Sequence, residues 1–238
     1  MAIGTTLAGR FVLTKPLARG GVSTVYQAVD AQAGRRLAVK VVDELYAGLI
    51  QHEAAMTQLL RHPHVPKIYG VGMATVPRTG REFGYLAMEL LRGEALTTTL
   101  THRGPLPWPH ALRVAGTAAD VLAVAHRRGV VHRDLTPANV MLTPRGTKVV
   151  DFGLAEVIGG STPTSAKPTD DVYSLGTLLV ETLTGRARRS RRLDPAPVIG
   201  VPGVPPAVAE LCRACMAKNA ASRPSAREAA LAIWALVG

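Results

Sequence analysis

The stretch His132-Arg133-Asp134-Leu135-Thr136-Pro137-Ala138-Asn139 decides how this chain is read, together with Asp151-Phe152-Gly153, which begins twelve positions after Asn139. Two short apolar runs, Gly129–His132 and Lys148–Val150, flank the polar residues and read as strands around a loop. In such a loop Asp134 can accept the proton of a hydroxyl, and Asn139 can hold a metal ion. Asp151 stands at a strand end with a glycine two places on, where a carboxylate can chelate a magnesium ion that bridges phosphates. The eight-residue pattern is specific. D-F-G alone is weak, and its spacing from Asn139 gives it weight.

Working toward the N-terminus, two further elements suit phosphate chemistry. In Leu17-Ala18-Arg19-Gly20-Gly21-Val22-Ser23-Thr24-Val25, small residues occupy 18, 20 and 23 of a strand-turn-strand, where backbone N–H groups can approach a phosphate closely. Taken alone this is equally an ordinary hairpin. In Ala38-Val39-Lys40 a lysine interrupts an apolar strand, and burying it requires a partner. Glu53, on the following helical stretch, is the expected one. Phosphoryl transfer needs a cover for the phosphates, a cation, magnesium ligands and a carboxylate that orients the attacking hydroxyl. The chain offers these in order.

The rest of the sequence divides by periodicity. Phe11–Leu17, Val22–Val29, Arg36–Val42, Val65–Val71 and Phe83–Leu91 are predicted strands, and Leu49–Arg61 a helix that stops before His62-Pro63. Beyond Arg92-Gly93 the pattern turns helical. Leu112, Ala115, Ala119 and Leu122 form one stripe closed by Gly129, and Val172, Leu175, Leu179 and Leu183 another closed by Gly185. Ser225 and Glu228 form a capping box ahead of a last helix. A strand-rich lobe thus precedes a helix-rich one, joined near Glu89–Gly93. Gly159–Thr169, rich in Gly, Ser, Thr and Pro, is expected to be a mobile loop.

Composition bounds the alternatives. Of 238 residues, 47% are hydrophobic and only 4% aromatic, so the core must rest on Ala, Val and Leu. The net charge of +11 favours acidic partners, but the sharpest basic cluster, Arg186, Arg188, Arg189, Arg191 and Arg192, has no interleaved aromatics, which argues against a nucleic-acid platform. Cys212 and Cys215 lie in an apolar helical stretch, Val208–Ala217, without a second ligand pair, and are expected to be structural thiols. So few cysteines fit a reducing cytoplasm. No apolar run reaches the ~18 residues of a membrane span, and no secretory leader is apparent.

These motifs make the chain resemble a bacterial member of the eukaryotic-like (Hanks-type) serine/threonine protein kinases, over nearly its whole length. The resemblance implies an α+β, bilobal protein-kinase-like fold: an N-lobe (1–88) with a small antiparallel β-sheet and one helix, a hinge (89–93), and a mainly helical C-lobe (94–238). It implies ATP with Mg2+ or Mn2+ and a protein substrate, and leaves substrate identity, activating signal and oligomeric state open. Residue by residue, Lys40 would contact the α- and β-phosphates and pair with Glu53, and Asp134 would be the catalytic base. Asn139 and Asp151 would bind metal. Gly20 and Gly21 would cover the phosphates, and Leu17, Val25, Ala38 and Met141 would sandwich adenine. Met88 resembles the gatekeeper, with the backbone of Glu89 and Leu91 holding the ring edge. Asp171 resembles the helix residue that anchors the catalytic-loop backbone. Arg133 would pair with a phosphorylated residue among Ser161, Thr162, Thr164, Ser165 and Thr169, implying autophosphorylation.

Three departures qualify the resemblance. Thr136 stands where the family has a lysine that stabilises the transferring phosphoryl group. No A-P-E motif follows D-F-G, and twenty positions separate Asp151 from Asp171, about half the usual span. Arg223, whose counterpart pairs with the glutamate of that motif, needs Glu181 or another carboxylate instead. A nucleotide-binding pseudokinase that docks a partner, and a small-molecule kinase, are therefore the competing expectations.

Overall fold

The structure, a computed structural model, describes residues 1–76, 80–158, 167–185 and 201–238. The chain forms two compact units, one made of 1–61 and 66–92, the other of 62–65 and 93–238. The basic cluster at 186–192 and the hydroxyls Ser161, Thr162, Thr164 and Ser165 lie outside the described residues.

The first unit is an antiparallel sheet with one long helix. Strands β1 (Thr6–Leu7), β2 (Phe11–Arg19), β3 (Ser23–Asp30), β4 (Arg35–Asp43), β5 (Ile68–Thr75) and β6 (Glu82–Met88) are ordered β1-β2-β3-β4-β6-β5, and α1 spans Ala47–Leu60. Successive side chains of a strand face opposite sides. In β4, Leu37, Val39 and Val41 therefore join Phe11, Leu13 and Tyr26 in one apolar cluster. Val42, on the other face, joins Ile50 and Ala54 of α1 and Leu86 of β6. Lys40 shares that second face, which is why its partner can come from α1. Each fully buried aliphatic side chain of such clusters contributes about 2 kcal/mol. Helix α1 ends at Arg61, whose φ of 42° is left-handed, so the chain turns before Pro63 as expected.

The strand boundaries around 65 and 90 differ from expectation. β5 begins at Ile68 rather than Val65, and β6 ends at Met88 rather than Leu91. Pro66 has no N–H to donate, and the Lys67 N–H goes to the Glu89 side chain at 3.2 Å. One bond, Glu89 N–H to Lys67 C=O at 2.8 Å, closes the ladder.

The second unit is mainly helical. It contains β7 (Glu94–Ala95), α2 (Leu96–Arg103), α3 (Trp108–Arg127), β8 (Val130–Val131), a 3₁₀ turn at Pro137–Asn139, β9 (Val140–Thr143), β10 (Gly146–Val149), β11 (Glu156–Val157), α4 (Pro168–Thr184), α5 (Pro206–Cys215) and α6 (Ala226–Val237). β10, β9 and β7 make one small sheet and β11 with β8 another. The predicted stripe of α3 is buried, and the helix starts four residues before Leu112 because Pro107 precedes it extended and Pro109 suits a first turn. Gly129 (φ 71°) and Gly185 (φ 67°) follow α3 and α4 in the left-handed conformation. α6 crosses α3 so closely that a Cβ at Gly116 would lie 2.9 Å from the Trp234 ring. The Ser225–Glu228 capping box is formed.

Cys212 and Cys215 are both buried, and burial pushes each thiol up to about 12. Among the described residues, no helix is long and apolar enough to cross a membrane, and no group of three or more His, Cys, Asp or Glu is placed to hold a metal ion.

Candidate active site

In the first unit, the β4 register sets the residues expected to meet a nucleotide. Val25 pairs with Lys40 and Gln27 with Ala38, while Ala38 also faces Met88 across β6. Lys40 Nζ lies 2.6 Å from Glu53 Oε2, with the two side chains 16% and 8% exposed. An ion pair this sheltered from water holds the ammonium in one place. The turn between β2 and β3 is closed by the Gly20 N–H donating to the Ser23 carbonyl at 2.8 Å. Gly21 has no neighbour within 4 Å of a Cβ position, and Leu17 and Val22 flank the turn exposed. The Glu89 N–H is engaged with Lys67, as above, and Leu91 follows beyond the end of β6.

In the second unit, the residues of the 132–139 stretch hold one another. Asn139 sits in the 3₁₀ turn, and its Nδ2 donates to Asp134 twice, to the main-chain oxygen at 2.8 Å and to Oδ2 at 2.9 Å. With the amide nitrogen engaged there, the amide oxygen is the atom Asn139 has to offer a cation. The Val150 N–H donates to the Asn139 carbonyl at 2.9 Å, which ties the residue before Asp151 to the same turn. Asp151 has a left-handed φ of 63°, uncommon for a residue with a Cβ, and the Gly153 N–H donates to its Oδ1 at 3.2 Å. Phe152 is fully buried, its ring 4.5 Å from that of His132. Met141 lies in β9 between Lys148 and Ala95.

Asp171 anchors this loop. It is wholly buried at the start of α4, and its carboxylate accepts the N–H groups of His132 and Arg133 at 2.8 Å each. His126, at the end of α3, places Nε2 2.8 Å from Asp171 Oδ2. Burial holds the His132 imidazole below its ordinary value and so neutral near pH 7. Its Nδ1 can then accept the Asp134 N–H at 3.3 Å.

Arg133, between these residues, also has a left-handed φ, of 68°. Its guanidinium pairs with Glu156 of β11. Arg223 has found a carboxylate, as the missing motif required, but it is Asp170, at 3.5 Å, and not Glu181. The guanidinium also donates to the carbonyls of Thr169 and Ala217 at 2.8 and 2.9 Å and lies over the Tyr173 ring. Thr136 lines a cavity of about 330 Å³ with Leu100, Leu178 and Glu181.

Sequence reasoning missed His126, Glu156 and α2. Glu156 had a visible signal, an acid five places after Asp151 in a stretch short enough to be read residue by residue. His126 had only its place in the last turn of a helix. α2 is eight residues of mostly threonine and leucine, with little periodicity to find.

The donor set fits a hard divalent cation. Magnesium is typically held by one or two carboxylates and by substrate phosphates, the remaining positions being water. Asp151 and Asn139 supply oxygen donors of that kind, so a three-carboxylate cage is not required.

The protein kinase domain family matches residues 11–170. The serine/threonine-protein kinase PknA of Mycobacterium tuberculosis is 33% identical over 259 residues, covering 93% of this chain and 59% of that protein. PknL of the same organism is 34% identical over 257 residues, covering 91% and 63%, and PknK 31% identical over 257 residues, covering 92% and 23%. The chain thus spans about three-fifths of the length of PknA and PknL.

Proposed function

We propose, from the fact that this chain belongs to the protein kinase domain family, that it transfers the γ-phosphoryl group of ATP to serine and threonine hydroxyls of protein substrates. Use of ATP and a divalent cation is general in that family. The observation that carries the proposal is the 2.9 Å hydrogen bond between Asn139 and Asp134, in a loop whose backbone is held by the buried Asp171. A carboxylate meant to take a proton from a hydroxyl must be fixed in direction, and these contacts fix it.

In this reading Lys40, steadied by Glu53, contacts the α- and β-phosphates. Asp134 receives the proton of the attacking hydroxyl and orients it in line with the phosphorus. Asn139 and Asp151 hold the metal, Mg2+ by preference and Mn2+ as a substitute, which supplies charge neutralisation to the phosphate oxygens. Leu17, Gly20, Gly21, Val25, Ala38, Met88, Glu89, Leu91 and Met141 form the nucleotide's surroundings, and Thr136 leaves the transferring group without the family's lysine. A chain that only docks a partner has little physical use for the Lys40–Glu53 pair and the Asp134–Asn139 pair together.

The test uses radiolabelled ATP with the wild type and Asp134→Asn, on the protein itself and on a basic general substrate. Transfer falling by about 10³-fold in the variant is expected. Label incorporation equal in the two proteins sinks the reading.

A further inference from the structure

Arg133 is held at both ends. Its N–H is bound by Asp171, and its guanidinium is paired with Glu156, whose own strand, β11, is hydrogen-bonded to β8 in the register Glu156↔Val131. Both partners are partly shielded, with side chains 43% and 31% exposed. Between these two anchors the Arg133 backbone adopts a left-handed conformation, which persists only when surroundings over-determine it. Asp134 is the next residue, so its direction depends on that strained peptide.

Resemblance to the kinase family led us to expect that a phosphate would neutralise Arg133. Here a carboxylate of the chain itself does so, five residues after Asp151. The second oxygen of that carboxylate, Oε2, is buried and without a hydrogen-bond partner among the described residues. A phosphate arriving at Arg133 would have to displace Glu156 or lie beside it, and like charges at that range repel.

We infer that Glu156 is a positioning residue that acts through Arg133, keeping the catalytic loop in its working conformation with no phosphate on the hydroxyls between 161 and 169. This rests on the phosphotransferase reading above. It makes the chain's activity independent of its own phosphorylation state, even if hydroxyls there become phosphorylated.

The experiment has two arms on the intact chain, with Asp134→Asn as the background rate. In the first, wild type treated with a broad-specificity protein phosphatase, and the variant with Ser161, Thr162, Thr164, Ser165 and Thr169 all changed to alanine, are assayed with radiolabelled ATP. Both are expected within about 2-fold of untreated wild type. In the second, Glu156→Gln is expected to lower kcat by about 10-fold, with KM for ATP within about 2-fold. The swapped pair Arg133→Glu with Glu156→Arg is expected to regain part of that loss, a rescue that bulk destabilisation would not give. A 10-fold loss on phosphatase treatment, or full kcat in Glu156→Gln, overturns the inference. A wild type no faster than Asp134→Asn removes the kinase reading itself, and this inference with it. The phosphatase arm needs no substitution, so a poorly folding variant does not protect the idea.

Discussion

The Asp171 carboxylate accepts the Arg133 N–H at 2.8 Å from a position with no solvent exposure, 38 residues further along the chain. The same carboxylate accepts the His132 N–H at 2.8 Å, and hydrogen bonds from N–H groups to a carboxylate are stronger than those between neutral groups. Asp171→Asn keeps the shape but offers one acceptor and turns an N–H₂ donor toward another donor. The expected cost is about 3 kcal/mol, mostly the unpaired buried N–H. At roughly 2–4 °C per kcal/mol for a chain of this size, Tm should fall by about 6–12 °C. The kcat should fall by at least about 10-fold while KM for ATP holds. A variant with wild-type kcat would show that the loop does not need this anchor.

The Lys40–Glu53 pair separates stability from chemistry. Each side chain is nearly out of water, so removing one partner takes a 2.6 Å ion pair from a sheltered charge, at about 3 kcal/mol. Lys40→Met alone should therefore melt early, and adding Glu53→Leu should restore most of the loss. Transfer should remain at background in both. A double variant that regains activity along with Tm would mean the ammonium does nothing for the phosphates.

How much of this was open to a reader of the sequence depends on how local each signal was. Lys40 and Glu53 could be paired in advance, because β4 alternates faces and a helix follows directly, and Asp134, Asn139 and Asp151 were legible through fixed spacing. The strand ends at Val65 and Leu91 were not, because a single side chain, Glu89, takes a ladder donor. Nor were the partners of Arg133 and Arg223. Ion pairing between distant positions depends on which carboxylate the tertiary fold brings close, and the pattern of either segment says nothing about it. The Cys212–Cys215 spacing was read correctly as core because the surrounding residues are apolar, and burial bears this out.

Thr136 offers a gain-of-function test. A lysine there would restore the cation that stabilises charge on the transferring group, and such a contact is worth roughly 10²-fold in rate. The cavity beside Thr136 has room for the longer side chain but also contains Glu181. Two outcomes therefore compete, and transfer faster by about 10-fold in Thr136→Lys is expected. A rate at or below wild type would mean that Glu181 captures the new ammonium, or that another cation already does its work.

Acid stability should be governed in part by Asp30, in the first unit. Its side chain has no solvent exposure. Arg10 donates to both carboxylate oxygens, at 2.9 and 2.7 Å, and the N–H groups of Gln32 and Ala33 donate to Oδ1. The Arg10 guanidinium, helped by these N–H groups and opposed by burial, holds the Asp30 carboxyl well below the usual carboxylate range. The folded protein therefore takes up this proton less readily than the unfolded chain, whose value is near 4. The stabilisation is present in full above that value and drains away as pH falls below it, because protonation then favours the unfolded state. Asp30→Asn should lower the urea midpoint at pH 7, and the gap to wild type should narrow steadily from about pH 5 to about pH 2. A gap that stays constant across that range would show that the loss comes from packing alone and that the charge of Asp30 contributes nothing.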